Sequence, residues 1–349
     1  MAVPSSSRPV GIEDVARAAS VSITTVSHAL SGNGHVAAAT RERVRRVASE
    51  LGYAPNRLAS ALRGRRSHIL GLVSDDIATT PYATRVVLGA QEAAAERDQL
   101  LVVVNSNRDS RIEQRQISSL LSARIDAVIY ARMFHQDTGV LPSALDGIPS
   151  VLLDTADARG IVRSAVPDEV QIGTLATRTL LEAGHRRIAH LTLAEKGSAV
   201  DLRLAAFTQA MTAAGCEPVV VRVAGPATAA AGRDAFTRLL ADGEGDVSAV
   251  FCFNDPMAMG VYQVAAAAGM SVPGNLSVIG VDDFRPVAEA LVPPLSTVSL
   301  PHYEMGRWAV ETVLALLDEA PLDQGVQSRI PGSLVRRESV AAPGPPASE

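Results

Sequence analysis

Between residues 69 and 283 the chain repeats one pattern eight times, a short apolar run of strand length followed by a stretch of helical periodicity. The runs are ILGLV (69–73), LLVVVN (100–105), DAVIY (126–130), PSVLLD (149–154), RIAHLT (187–192), PVVVRV (218–223), AVFCFND (249–255) and LSVIGVDD (276–283). Near-continuous apolar strands alternating with helices are buried on both faces, and parallel, doubly wound sheets bury them that way. The roughly 280 residues that follow residue 66 exceed one ordinary sheet, which predicts two similar subdomains. A chain of 349 residues with 47% hydrophobic and 20% charged residues has the apolar surface to build them.

No run approaches the ~18 apolar residues of a membrane span. Residues 1–9, MAVPSSSRP, lack the apolar core of a signal peptide and read as disordered. Cys216 and Cys252 stand far apart and fit no C-x-x-C spacing, so both read as buried thiols in a reducing cytoplasm. A cytoplasmic chain with no membrane partner is expected.

Ahead of the strands the pattern differs. Residues 8–66 carry ten arginines against four acids, a charge of +6, which leaves −11 on the remainder of a chain whose net charge is −5. A basic head on an acidic body fits a polyanionic partner, because arginine–phosphate contacts release counterions. Within the head, Ile12, Val15, Ala16 and Ala19 fall on one face of a short helix. Ser22 is placed to cap a second helix packed through Val26, Ala29 and Leu30. Val44, Val47, Ala48 and Leu51 give a third, with Gly52 as its stop. Two helices joined by a tight turn, with a third behind them, make a helix-turn-helix unit whose second helix enters the DNA major groove. Thr24, Thr25, Ser27 and His28 are left off its packing face, and small polar side chains there suit hydrogen bonds to base edges.

Residues 11–63 resemble the DNA-binding head of the lactose-repressor (LacI/GalR) family of bacterial transcriptional regulators, through DVA, VS, TVS, TRERV, ELGY, PNRLA and LR. The resemblance implies that Ile23, Thr24 and His28 read bases, that Thr25 and Ser27 contact phosphates, and that a homodimer binds a palindromic operator DNA. Ala37 departs from the family's frequent serine cap, so the third helix should start less sharply. PNRLASALRGRR (55–66) corresponds to the family's hinge helix, where Asn56, Arg57, Ala59 and Leu62 join the DNA-binding set and Leu62 matches a leucine wedged between base pairs. The same stretch also reads as a plain interdomain linker.

Further matches in LLEAGHRRIAHL, FNDPMAMG, VPGNLSVIGVDDF and PPLSTVSLPHYEMGRWAVETVLALL extend the resemblance through the body. They imply a small all-α helix-turn-helix head followed by an α/β body, a two-lobed periplasmic-binding-protein-like fold with doubly wound parallel sheets. The expected organisation is a disordered 1–9, a helix-turn-helix domain at 10–54, a hinge helix or linker at 55–66, a two-lobed effector-binding and dimerisation domain at 67–340, and a disordered tail at 341–349. Lobe 1 is expected over about 67–165 plus 294–323, and lobe 2 over about 166–293 plus 324–340.

Ligands of doubly wound sheets collect beyond the carboxyl ends of the strands, where Asp154, Asn254, Asp255 and Asp282 end their runs and Arg203 opens a helix. Matched to the family, Arg203 and Asp282 grip a small-molecule effector, Asn254 and Asp154 help, and Tyr82 lines the first lobe's side. An arginine fork and a carboxylate together satisfy adjacent hydroxyls, so a sugar is the expected effector, with a nucleobase or nucleoside as the alternative. Asp255 is expected to cap the following helix, Asp283 to sit in a turn, Trp308 to pack in a core, and His185 and His190 to be structural.

The chain has no G-x-S-x-G elbow and no H-E-x-x-H pair, and GNGHVA (32–37) follows a helix, not a strand, which argues against a dinucleotide site. No catalytic residue, metal or cofactor is expected, and no enzyme. A solute-binding protein for uptake would share the body, and an enzyme could occupy such a sheet, but neither accounts for residues 11–63. The tail RRESVAAPGPPASE lacks a leucine heptad, which favours a dimer over a tetramer.

Overall fold

Three short helices, α1 (Ile12–Ala19), α2 (Ile23–Ser31) and α3 (Ala38–Glu50), form the first of two compact units, Met1–His68 and Ile69–Glu349. The structure, a computed structural model, describes residues 10–31, 35–53, 66–80, 83–137, 141–157, 159–243, 246–322 and 325–344. The hinge segment, with Asn56, Arg57, Ala59 and Leu62, lies outside the described residues, as does Tyr82.

The head's core is small: Val15, Ala16, Ala19, Val26, Ala29, Val44 and Ala48 are buried together, with Ile12, Leu30, Val47 and Tyr53 packed against them. Ser20 takes a left-handed backbone (φ 53°) at the end of α1, which turns the chain in three residues into α2. The Ser22 hydroxyl accepts the Thr25 N–H at 3.1 Å, the cap expected there. Ala37 offers α3 no side-chain cap. At the other end Gly52 (φ 64°) closes a Schellman motif, its N–H donating to Ser49 O and the Tyr53 N–H to Ala48 O at 2.8 Å. Leu51, expected in the core, is 38% exposed: it sits at the cap, and Tyr53 folds back over the helix end in its place.

In the body, lobe 1 holds a sheet in the order β2-β1-β3-β4-β5-β11 and lobe 2 one in the order β7-β6-β8-β9-β10-β12. The strands are β1 (Ile69–Ser74), β2 (Leu100–Asn105), β3 (Ala127–Asp137), β4 (Ser150–Ala156), β5 (Ser164–Pro167) and β11 (Gln327–Ile330) in the first, and β6 (Ile188–Leu193), β7 (Val219–Val223), β8 (Ala249–Cys252), β9 (Ser277–Asp282), β10 (Ser296–Ser299) and β12 (Ser333–Val335) in the second. Every pairing is parallel except β10 with β12. All eight expected strands are present, and each lobe repeats the other's order.

Helices cover both faces. In lobe 1, α4 (Thr84–Glu96) and α11 (His302–Leu317) pack on one face and α5 (Ser110–Ser122) on the other; Trp308 packs partly buried against the first of these cores. In lobe 2, α8 (Ala229–Ala241) and α9 (Asp255–Ala267) pack on one face, α6 (Glu169–Glu182) and α7 (Ser198–Ala213) on the other; the short α10 (Arg285–Ala288) follows β9. Two helix pairs meet backbone to backbone at glycine. A Cβ on Gly89 would lie 2.1 Å from Tyr303 O and one on Gly306 2.1 Å from Val86 O; Gly232 and Gly260 relate α8 to α9 in the same way.

The expected lobe boundaries require correction. Residues 296–299, expected in lobe 1, form β10, which pairs with β9 in lobe 2, and residues 327–330, expected in lobe 2, form β11, which pairs with β5 in lobe 1. The chain therefore changes lobe between β5 and α6, between β10 and α11, and between β11 and β12. These late strands are short and rich in serine and threonine, so no apolar run marks them.

Candidate functional site

On α2 the packing residues face the head's core and leave a polar face outward. Thr24 and His28 are exposed, Ile23 is 45% exposed, and Thr25 and Ser27 are half-buried. Thr25 Oγ1 lies 2.8 Å from Ser22 Oγ, so its hydroxyl also ties the helix to its own cap. The five residues named from the sequence thus share one helix, with the arginines at 17, 43, 45 and 46 exposed elsewhere on the same small unit.

In the body, the carboxyl ends of the strands of both lobes open onto one cleft of about 720 Å³. Asp154, Arg203, Asn254 and Asp282, the four described residues named for an effector, all line it. Asp154 and Asp282 lie on β4 and β9, equivalent strands of the two lobes, and both hold a left-handed backbone, φ 54° and 117°. Non-glycine residues in that region cost energy and cluster where a side chain must be aimed, here into the cleft.

Arg203 is buried, and its fork is engaged. Its Nε donates to Glu169 Oε2 at 2.6 Å, its Nη1 to Phe253 O at 2.8 Å, and its guanidinium lies 4.8 Å from the Phe253 ring centre. The helices dictate this. Glu169 opens α6 one turn before Gly173, and a Cβ on Gly173 would lie 2.9 Å from Arg203 O, so α6 and α7 touch there and Glu169 stands beside Arg203. Burial alone would raise the Glu169 carboxyl, but the Arg203 charge and His135 outweigh it and hold it below its ordinary value. His135 Nδ1 stands 3.6 Å from Glu169 Oε1, beyond hydrogen-bond reach. His302, at the start of α11, is kept neutral by burial, its pKa lowered to about 4.

Asn254 caps α9, its Oδ1 accepting the Met257 N–H at 2.9 Å while its Nδ2 donates to Ala227 O at 2.9 Å. Asp255, expected as that cap, instead accepts the Phe284 N–H at 2.7 Å and the Thr297 hydroxyl at 2.6 Å, tying the turn after β9 to β10. Burial raises its carboxyl to about 7 and pushes that of Asp282 well above the ordinary range. Asp283 sits in a left-handed turn (φ 50°), paired with Arg337 at 2.6 Å. His185 bridges Ser248 and Ala341, and His190 stacks on Phe251 at 4.2 Å, both structural as expected.

Glu169, Phe253, His135 and His302, none of them expected from the sequence, also line the cleft. Glu169 and His302 follow β5 and β10, two of the four short strands no apolar run announced; with those strands recognised, the strand-end rule would have found both.

Residues 11–56 match the bacterial regulatory proteins of the lacI family, and residues 177–340 match a periplasmic binding protein-like domain. The chain is 32% identical over 315 residues to the ribose operon repressor of Escherichia coli strain K12, covering 90% of this chain and 94% of that protein. It belongs to the lacI family. Among solved structures of the family, a Lac repressor dimer bound to operator and the anti-inducer ONPF superposes with a TM-score of 0.78 at 28% identity, covering 96% of this chain and 100% of that one. The transcriptional regulator CelR in complex with cellobiose gives 0.66 at 31%, covering 95% and 100%. Like its relatives, this lacI-family chain is a DNA-binding transcriptional regulator built from a helix-turn-helix head and an effector-binding body. Among the described residues no helix is long and apolar enough to cross a membrane, and no group of three or more His, Cys, Asp or Glu could hold a metal ion.

Proposed function

We propose that the chain is a cytoplasmic repressor that binds a palindromic operator as a homodimer, and that a sugar in the body's cleft controls its grip on DNA. It carries out no catalysis in this reading. The cleft carries the argument: an arginine, two left-handed aspartates and an aromatic ring converge at the strand ends of both lobes. Carboxyl groups accept from hydroxyls and, where protonated, donate to them, guanidinium donates to them, and a ring covers the apolar face of a pyranose or furanose. Relatives support it, since the names above include a ribose operon repressor and a regulator complexed with cellobiose.

In the head, Ile23, Thr24 and His28 read base edges and Thr25 and Ser27 meet phosphates. One such helix reads only a few base pairs, so two related by a twofold axis are needed for specificity. The sugar acts by favouring one arrangement of the lobes, a coupling of about 1–3 kcal/mol in typical systems.

Selection of bound sequences from a randomised duplex pool by the full-length protein, at about 0.15 M salt where nonspecific affinity is damped, tests this. A palindrome whose recovery changes when sugars are added is expected. Enrichment of no sequence, with and without sugars and nucleobases, would refute the repressor reading.

A further inference from the structure

The two arginines that face the cleft are already matched by carboxylates. Arg203, at the cleft's centre, is bound by Glu169 at 2.6 Å, with both side chains under 5% exposed. Arg108, at the lobe 1 rim, is paired with Asp76 at 2.9 Å, and Asp76 also takes the Thr79 hydroxyl. The third lining cation, Lys196, is exposed at the lobe 2 rim, where water screens its charge. Asp154 and Asp282 add two more carboxyl groups to the lining. A cleft built to hold a phosphate or carboxylate at its centre leaves an uncompensated cation there. Here Arg203 presents the ligand a guanidinium whose charge Glu169 has cancelled.

Resting on the sugar reading above, we infer that Glu169 is a specificity-determining residue that restricts the cleft to uncharged polyols and excludes their phosphate esters and sugar acids. A hydroxyl accepts from the arginine fork without bringing charge. A phosphate or carboxylate in the same place would set a second anion against Glu169 in a site that little water can screen. Glu169 is itself held ionised, its carboxyl kept low against burial by Arg203 and His135. The hydrophobic wall is compatible with this, since Phe253 covers the guanidinium and presents a ring rather than a donor.

The test uses the full-length protein and a panel of common mono- and disaccharides, each beside its terminal phosphate ester and its aldonic acid, read by thermal shift and then by calorimetry. An uncharged sugar should bind, and its charged counterparts should bind at least about tenfold more weakly. In Glu169→Gln the pocket loses one negative charge, and that ratio should shrink severalfold through tighter binding of the charged compounds. Preference of the unaltered protein for an ester or acid would overturn the inference and leave the sugar reading standing. An unchanged ratio in a folded Glu169→Gln variant would overturn Glu169's role. Binding of no sugar in any form would remove the sugar reading and this inference together. The comparison within the unaltered protein decides the selectivity even if the variant does not fold.

Discussion

Replacing Arg203 by alanine removes one half of a buried ion pair. Glu169 stays buried, 2% exposed, with its charge uncompensated, and breaking a buried pair from one side costs about 3–5 kcal/mol. Arg203→Ala is therefore expected to lose effector response and to lower the urea midpoint of the body, while operator binding by the folded fraction persists. The double variant with Glu169→Gln should regain most of the stability and none of the response, which urea titration and operator binding with added sugar would separate. A second residue gives the protein an acid limit. Burial lowers His190 to about 4, helped by the nearby Arg203 charge, whereas an unfolded histidine takes its proton near about 6.5. Between those values the unfolded chain binds more protons than the native one, so stability falls as pH falls from about 6.5 toward 4. His302, also lowered to about 4, acts in the same sense. Asp255, raised to about 7, acts oppositely, destabilising the fold progressively as pH rises from about 4 to 7. His190→Phe should therefore lose less stability than the unaltered protein between about pH 7 and about pH 5; equal losses would place the acid limit elsewhere.

At the scale of elements, helix contacts at glycine are the points of least tolerance. A methyl group at Gly306 must displace Val86 O from 2.1 Å, and the backbone of α4 offers no rotamer to yield. Gly306→Ala should cost about 1–3 kcal/mol, the range for overpacked cores, measured by chemical denaturation. Ser22→Ala, which removes the cap of α2, should cost the head about 1 kcal/mol and weaken operator binding in proportion. These elements also show what was legible in advance. Helices α1 to α3 and eight strands could be read because their apolar spacing was unbroken, and Arg203, Asp154, Asn254 and Asp282 because they follow such runs. A short polar strand such as β10 owes its place to neighbours, since Thr297 is fixed by Asp255 and Ser296 by Ser339. Nothing local encodes that. Glu169, Arg203's partner across two helices, was hidden for the same reason: the pairing exists only once Gly173 has let α6 approach α7.

For the whole molecule, the division at residue 68 separates a head with a core of alanine and valine from a body with two large lobes. So small a core gives marginal stability, and calorimetry on the full chain should show a minor transition below the main one. A fragment beginning at Ser67 is expected to fold, to bind the effector with unchanged affinity and to bind no operator; failure to fold would show that the body depends on the head. The three passages of the chain between lobes carry a further consequence for synthesis. Lobe 1 receives α11 and β11 only after nearly all of lobe 2 has been made, and lobe 2 is closed by β12 last. On the ribosome, then, a helix-turn-helix head can form long before either lobe is complete. A stop codon anywhere upstream of β12 spoils lobe 2, and one before α11 leaves both lobes unfinished, releasing a polypeptide able to touch DNA yet deaf to its signal.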